Sequence, residues 1–163
     1  MKSLLFVLLF LVAFISFSCK NKDKKKISRL PNDAIVVDYE GKVIPLPKDK
    51  IIILNFMAYS CSSCMEEIPI LKKVLKEEKY KDKFYLIGIA IDSQKNDFSD
   101  KEFPIYSNNK INQVRFPVPG TPTTYIITPK GKKLVIIYGA VTEENLRKFL
   151  DEALKKYKKR KGD

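Results

Sequence analysis

The sequence predicts an α/β fold, a three-layer sandwich in which helices flank a mixed central β-sheet. Two apolar runs rich in β-branched residues, 51–57 and 84–91, are separated by a segment with helical periodicity. This order is typical of a right-handed βαβ unit with parallel strands. Two further apolar runs, 123–128 and 133–138, are joined by the turn sequence Pro-Lys-Gly-Lys and predict an antiparallel hairpin.

The elements before the second strand follow from local patterns. A short N-terminal hairpin is expected because the apolar run 35–37 is followed by a turn at 40–42. The first strand, 51–57, has no polar alternation, which favours a central strand covered on both faces. Apolar residues then recur at helical spacing from Ile68 to Leu75, with lysines and glutamates on the opposite face.

The second half of the chain contains the hardest segment to interpret, residues 93–120. Within it we expect a short strand at 103–106 and one or two helical turns over 109–115. After the hairpin, Thr142 is placed as the N-cap of a final amphipathic helix, followed by two glutamates that complement the helix dipole. Beyond Tyr157 we expect a frayed helix end and solvated basic charge, with membrane or acidic-partner contact as the alternative.

The composition limits the possible chemistry. The chain has 163 residues, which corresponds to one globular domain, with three cysteines and no histidine. Three cysteines cannot form the disulfide framework of a small secreted scaffold. Without histidine, a His-dependent triad, His–Zn hydrolysis and most copper chemistry are excluded.

The net charge of +12 is concentrated at the two ends of the chain. Residues 20–29 and residues 155–161 each contain six cations, whereas residues 30–154 contain 18 cations and 17 acids. Because the folded body is nearly neutral, we do not expect nucleic acid as a partner.

The N-terminus has the layout of an export signal. Lys2 precedes an apolar run from Leu4 to Phe17 that is shorter than the about 20 residues of a transmembrane helix, and Cys19 follows. We therefore divide the chain into a lipoprotein-type signal peptide (1–18), a lysine-rich tether (19–32) and a folded domain (33–163).

Cleavage before Cys19 would make this cysteine the lipidated first residue of a protein anchored at the extracytoplasmic, periplasmic face of a membrane. Ordinary cleaved secretion and an uncleaved anchor are the alternatives. The tether lysines are either a solvated spacer or a site of attraction to anionic lipid headgroups.

The chemistry is predicted to lie in the sequence Cys61-Ser62-Ser63-Cys64 at the junction of a buried strand and an amphipathic helix. Unpaired N–H groups and the positive end of the helix dipole favour a thiolate at Cys61, which we expect to be the attacking sulfur. Cys64, one turn into the helix, is expected to be the less exposed resolving thiol. No metal or organic cofactor is required for exchange between these two thiols and a disulfide.

Two other readings of the cysteine pair are less favoured. A zinc ribbon needs two further Cys or His ligands, which the folded domain lacks. A purely structural disulfide across so short a loop would contribute little entropic stabilisation.

Four segments together resemble a known family. Residues 55–69 (NFMAYSCSSCMEEIP) resemble the active-site block of the membrane-anchored thioredoxin-like proteins of the TlpA/ResA type. Residues 39–46 are similar to the opening hairpin of that family, residues 118–127 to its cis-proline loop and following strand, and residues 139–144 to its last helix start.

The resemblance implies a thioredoxin-like sandwich and an exported, membrane-tethered thiol–disulfide oxidoreductase. It implies that the Thr121–Pro122 bond is cis and packs against the disulfide, so that both residues belong to the site. The expected activity is reduction of selected protein disulfides, and those of apocytochrome c are candidate substrates. The expected partners are a membrane dithiol electron donor and the membrane itself. We expect a monomer.

The sequence departs from the family pattern in three ways. Ser60 stands where a Trp commonly precedes the first cysteine, and Asn55 stands where cytosolic thioredoxins have a buried aspartate. Asp92, at the end of its strand, is our first choice for the missing proton acceptor, with Glu66 and Glu67 as alternatives. Ser62-Ser63 lacks the proline of reducing relatives and the histidine of oxidising ones, so it does not indicate the redox potential.

Other functions remain as alternatives at this stage. A thiol oxidase or disulfide isomerase would use the same residues, and a copper-delivery lipoprotein or a non-catalytic module could share the fold. Tyr59 and Phe116 are expected either to line a peptide groove beside the cysteines or to be ordinary packing residues.

Overall fold

The structure is a computed structural model that describes residues 34–162. The expected signal peptide, the lipidation site Cys19 and the tether up to residue 32 lie outside the described residues. Within residues 34–162, no helix is both long enough and apolar enough to cross a bilayer.

Residues 34–162 contain five strands and three helices, and their order agrees with the predicted βαβ and ββα units. The strands are β1 (Ile51–Met57), β2 (Phe84–Ala90), β3 (Ile105–Ser107), β4 (Thr123–Ile127) and β5 (Lys133–Tyr138). The helices are α1 (Ser62–Leu75), α2 (Asn112–Arg115) and α3 (Glu143–Gly162).

The strands form one mixed sheet in the order β3-β2-β1-β4-β5. The pairs β1–β2 and β2–β3 are parallel, whereas β1–β4 and β4–β5 are antiparallel. The predicted mixed sheet, βαβ unit and hairpin are therefore confirmed. The short N-terminal hairpin is also present, as an antiparallel bridge between Val37 and Val43 around a positive-φ glycine, Gly41.

Strand β1 is central because both of its faces are covered, and all seven of its residues are buried. Ile53 and Met57 belong to the core under α1 and α3. Ile52 and Phe56 belong to a second core on the other face, which the N-terminal segment and the residues around α2 cover. Full burial of one such side chain contributes about 1.5–3 kcal/mol, so the continuous apolar run is sufficient reason for this strand to lie in the middle of the sheet.

The segment that the sequence left uncertain is organised by polar side chains. β3 begins two residues later than expected, and α2 is a single turn. The buried Asn112 side chain accepts a hydrogen bond from the Val37 amide (3.0 Å) and donates one to the Val37 carbonyl oxygen (2.7 Å). Asn112 thereby holds the N-terminal hairpin against the rest of the domain.

Helix α3 begins at the predicted N-cap but continues beyond the expected end. The Asn145 amide donates to Thr142 Oγ1 (3.3 Å), and the Thr142 amide donates to Asn145 Oδ1 (2.8 Å), which is a reciprocal cap. The helix extends to Gly162 instead of fraying past Tyr157. Lys156 and Arg160 explain the difference, because their side chains donate to backbone carbonyls of β5.

Candidate functional site

Cys61 and Cys64 form a disulfide at the start of α1, with their Cα atoms 5.3 Å apart. Cys61 is the N-cap residue, with extended backbone geometry (φ −96°, ψ 105°). Its Sγ accepts a hydrogen bond from the Cys64 amide at 3.2 Å. The first sulfur therefore occupies the position where helix N–H groups and the helix dipole stabilise negative charge, and a thiolate there is favoured.

The two sulfurs differ in access. Cys64 has no solvent exposure, whereas Cys61 is half-buried and borders on the surface. The Ser63 hydroxyl lies 3.4 Å from Cys61 Sγ. An incoming sulfur can reach Cys61, while Cys64 can be reached only through Cys61.

The Thr121–Pro122 peptide bond is cis, as the resemblance implied. The Thr121 carbonyl oxygen lies 3.6 Å from Cys61 Sγ, so this loop packs against the disulfide. The loop is fixed from both sides, because Thr123 Oγ1 donates to the Gly120 carbonyl (2.6 Å) and the Gly139 amide donates to the Pro122 carbonyl (2.9 Å). Backbone of residues 120–121 is thus held rigidly beside the exposed sulfur.

Asp92 holds the turn that precedes Cys61. Its carboxylate accepts hydrogen bonds from the Tyr59 amide (2.9 Å), the Ser60 amide (3.0 Å) and the Ser60 hydroxyl (3.0 Å). Burial opposes ionisation, but these hydrogen bonds lower the pKa of Asp92 below its ordinary value. Asp92 therefore holds the turn before Cys61 in place, and the proton-accepting role expected from sequence stays a prediction.

Glu67 is an acid of the active-site helix whose side chain the fold buries. It follows Cys64 by three residues on the buried side of α1 and is 1% exposed. Its Oε1 accepts from Asn55 Nδ2 (2.7 Å) and its Oε2 accepts from the Val141 amide (3.1 Å). Burial raises the pKa of Glu67, although both hydrogen bonds act in the opposite direction.

Asn55 connects this acid to the sheet. Its Nδ2 donates to Thr124 Oγ1 (2.9 Å) as well as to Glu67, so both of its amide hydrogens are used. Among the described residues, its Oδ1 is buried without a hydrogen-bond partner. Sequence reasoning named Glu67 only as a secondary choice, because its hydrogen bond to the Val141 amide spans 74 positions and leaves no local signal.

The two aromatic candidates separate clearly. Phe116 is fully buried and packs against Phe56 and Tyr125 (ring centroids 6.1 and 5.1 Å apart), so it is an ordinary core residue. Tyr59 is 38% exposed, and its hydroxyl lies 3.4 Å from Asp97. Met65, on the first turn of α1, is 44% exposed. Exposed apolar side chains therefore precede and follow Cys61 in the sequence.

Comparisons with known proteins agree with this geometry. A family model described as a thioredoxin-like domain matches residues 37–154. The thiol–disulfide oxidoreductase ResA of Bacillus thuringiensis (strain Al Hakam) is 32% identical over 148 residues, which cover 80% of each chain.

Two solved structures share the fold. One is a putative thiol:disulfide interchange protein DsbE from Chlorobium tepidum, with a TM-score of 0.57 and 21% identity over 78% of this chain and 96% of that chain. The other is the pneumococcal exposed lipoprotein thioredoxin Etrx1 from Streptococcus pneumoniae, with a TM-score of 0.54 and 20% identity over 71% and 96%.

Proposed function

Because this chain belongs to the thioredoxin-like domain family and is a thiol–disulfide oxidoreductase of the ResA type, we propose that it reduces disulfides of selected proteins outside the cytoplasm. The observation that carries the proposal is the asymmetry of the cysteine pair. Cys61 is reachable at a helix N-terminus, Cys64 is fully buried, and a fixed backbone segment lies beside them.

The reaction proceeds in two exchanges. The Cys61 thiolate attacks one sulfur of the substrate disulfide, forms a mixed disulfide and releases the other substrate sulfur as a thiolate, which takes up a proton. Cys64 then loses its proton and attacks Cys61 Sγ, which releases the second substrate thiolate and closes the Cys61–Cys64 disulfide. The substrate gains two electrons, and the cysteine pair of the protein loses two.

Glu67 is proposed as the group that takes the proton of Cys64. A carboxylate with a raised pKa is suited to accept this proton. Its pKa is closer to the pKa of a thiol than the pKa of an ordinary carboxylate is, so the transfer is less unfavourable. Asn55 and the Val141 amide hold the carboxylate in a fixed orientation on the buried side of α1.

The segment ending at Thr121 is proposed to hold the substrate. Its carbonyl oxygen lies 3.6 Å from Cys61 Sγ, so an extended peptide hydrogen-bonded along this backbone would bring its disulfide to the reactive sulfur. The exposed side chains of Tyr59 and Met65 would add apolar contact.

The proposal extends to location and partners. The apolar run at 4–17 followed by Cys19 supports a lipoprotein tether at the extracytoplasmic face, and Etrx1, which shares the fold, is described as an exposed lipoprotein. A reductase in an oxidising compartment must be recharged, which requires a dithiol donor in the membrane. Apocytochrome c is the proposed substrate class. In this proposal the protein acts as a monomer. The exchange between thiols and disulfides needs neither a metal nor an organic cofactor.

Reduction of insulin and of oxidised apocytochrome c by the prereduced protein tests the proposal. We expect Cys61→Ser to reduce the rate to the uncatalysed background, because no attacking sulfur remains. Lys148→Gln, at an exposed position of α3 outside the site, is the control and should retain the wild-type rate. Equal rates for wild type and Cys61→Ser would contradict the proposed function.

A further inference from the structure

The domain has two opposite ends along the strands of the sheet. At the end that carries Cys61, Phe56 of β1 pairs with Thr123 of β4. At the other end, Ile52 pairs with Ile127, so the turn between β4 and β5 lies as far from the disulfide as the sheet allows. Helix α3 runs from the end near Glu67 toward this distant end, because the Val141 amide contacts Glu67 and Lys156 contacts the start of β5.

A group of cations lies on the β4–β5 side of this distant end, and we name this group the basic end. It consists of six exposed side chains from the β4–β5 turn, the start of β5 and the last turns of α3: Lys130, Lys132, Lys133, Lys156, Lys159 and Arg160.

Two hydrogen bonds bring the helix part and the strand part of the basic end together. Lys156 Nζ donates to the Leu134 carbonyl (3.0 Å), and Arg160 Nη1 donates to the Lys133 carbonyl (3.3 Å). In the part of the chain that the structure describes, only Lys156 of the six forms an ion pair, with Glu152 at 2.5 Å. The positive charge of the basic end is therefore largely uncompensated by carboxylates.

The chain also enters the domain at this end. Arg115 Nη1 donates to the Ala34 carbonyl (3.2 Å), and a Cβ atom on Gly131, in the β4–β5 turn, would lie 3.2 Å from Ile35 Cγ1. The residues before 34, which include the apolar run at 4–17 and the six cations of 20–29, are thus joined to the body beside the basic end.

We propose that the basic end binds the anionic headgroup surface of the membrane to which the chain is tethered, so that Cys61 faces away from the lipid. This inference rests on the tether in the proposed function. Cations attract anionic lipid within about one Debye length, roughly 8–10 Å at moderate salt. The attachment point lies beside the basic end, so this is the end of the domain that is joined to the tether.

Lysine footprinting on vesicles tests the proposal with the full chain. The protein is bound to vesicles of phosphatidylcholine alone or with about 30% phosphatidylglycerol, acetylated by a short pulse of acetic anhydride and analysed by mass spectrometry. Lys132 and Lys159 report on the basic end, and the exposed Lys148, near the start of α3, is the internal control.

On the anionic vesicles, acetylation of Lys132 and Lys159 should slow by about fivefold or more and recover at about 1 M salt, while Lys148 is unaffected. Acetylation of Lys132 and Lys159 at the Lys148 rate on anionic vesicles would overturn the proposal. So would equal protection by soluble polyglutamate, which would indicate an acidic protein partner instead.

Two triple variants that lose the same charge test whether membrane binding depends on where the cations lie or only on the net charge of the protein. Lys132→Gln/Lys159→Gln/Arg160→Gln should abolish the protection of Lys130, whereas Lys95→Gln/Lys110→Gln/Lys148→Gln, at exposed positions toward the Cys61 end, should retain it. Equal protection of Lys130 in the two variants would contradict the proposal. Both variants should reduce insulin at the wild-type rate, so failure of the membrane surface is distinguishable from failure of the proposed function.

Discussion

Asn55 in the central strand donates a 2.7 Å hydrogen bond to the carboxylate of Glu67 in the active-site helix. The sheet and the helix are thereby joined by a polar contact in a region otherwise filled by apolar side chains, and Glu67 follows Cys64 by one helical turn. The same carboxylate accepts from the Val141 amide, so it also fixes the segment that leads into α3. One buried acid thus links three elements.

Glu67→Gln should change how stability depends on pH. Burial raises the pKa of Glu67 in the folded protein above its ordinary value of 4.5. As pH rises above that ordinary value, Glu67 ionises in the unfolded chain while it is still protonated in the folded protein. The unfolded state is therefore favoured increasingly until Glu67 ionises in the folded protein as well. The free energy of unfolding of the oxidised wild type should therefore fall with rising pH relative to that of Glu67→Gln.

Urea unfolding of both oxidised proteins at a series of pH values measures this difference. Glu66→Gln, an exposed neighbour, is the matched control and should follow the wild-type curve. A Glu67→Gln curve parallel to wild type throughout the acid range would contradict a raised pKa.

Asp92→Ala should destabilise the turn that precedes Cys61. The variant loses an acceptor for three hydrogen bonds at 2.9–3.0 Å, and because the site is exposed we expect a loss of about 1 kcal/mol in the free energy of unfolding. Because the pKa of Asp92 is lowered in the folded protein, this contribution exists at neutral pH and disappears as pH falls through the folded-state pKa.

Ser60→Ala is the comparison for Asp92→Ala. It removes only the hydroxyl hydrogen bond and keeps both amide hydrogen bonds, so its loss of stability should be the smaller one. Equal losses for the two variants in neutral urea unfolding would show that the amide bonds to Asp92 contribute nothing.

Gly88→Ala should destabilise the sheet without touching the site. A Cβ atom on Gly88 would lie 2.9 Å from Phe103 Cζ and 3.0 Å from Ile105 Cγ1, closer than packed carbon atoms approach. Overpacking of this kind costs about 1–3 kcal/mol in the free energy of unfolding. Gly120→Ala, where no atom lies within 4 Å of the added Cβ, is the control, and it should unfold at the wild-type urea midpoint.

Cys64→Ala should trap substrates, because the mixed disulfide on Cys61 can no longer be resolved. Non-reducing electrophoresis and mass spectrometry of extracts incubated with this variant should reveal adducts that dithiothreitol releases. Cys61→Ala should yield few adducts, since Cys64 has no solvent exposure. Similar adduct levels for the two variants would contradict the assignment of Cys61 as the attacking sulfur.

Features encoded by neighbouring residues were predictable from sequence. Continuous apolar runs placed β1 and β2 in the middle of the sheet, and Thr142 marked the start of α3. The cysteine pair was identifiable because strand, turn and helix signals surround it within a few residues. These signals are local, so no tertiary information is needed to interpret them.

Features that depend on distant contacts were not predictable in the same way. Asn112 organises residues 105–116 by bonding to Val37, 75 positions earlier, and no periodic pattern records such a contact. Asp92 and Glu67 are likewise defined by partners far along the chain, the Tyr59 amide for Asp92 and the Val141 amide for Glu67, which no local pattern records. Composition cannot distinguish an acid that accepts hydrogen bonds from a turn from an acid that is buried on the inner face of its own helix.

The reduction potential of the Cys61–Cys64 pair tests the central claim, the direction of electron flow, most directly. The full chain is equilibrated with defined thiol–disulfide buffers, and free thiols are trapped and counted by mass. A value near the about −270 mV of thioredoxin is the result that a reductase requires. A value near the about −120 mV of a strong thiol oxidant would contradict the account and make the protein a donor of disulfides.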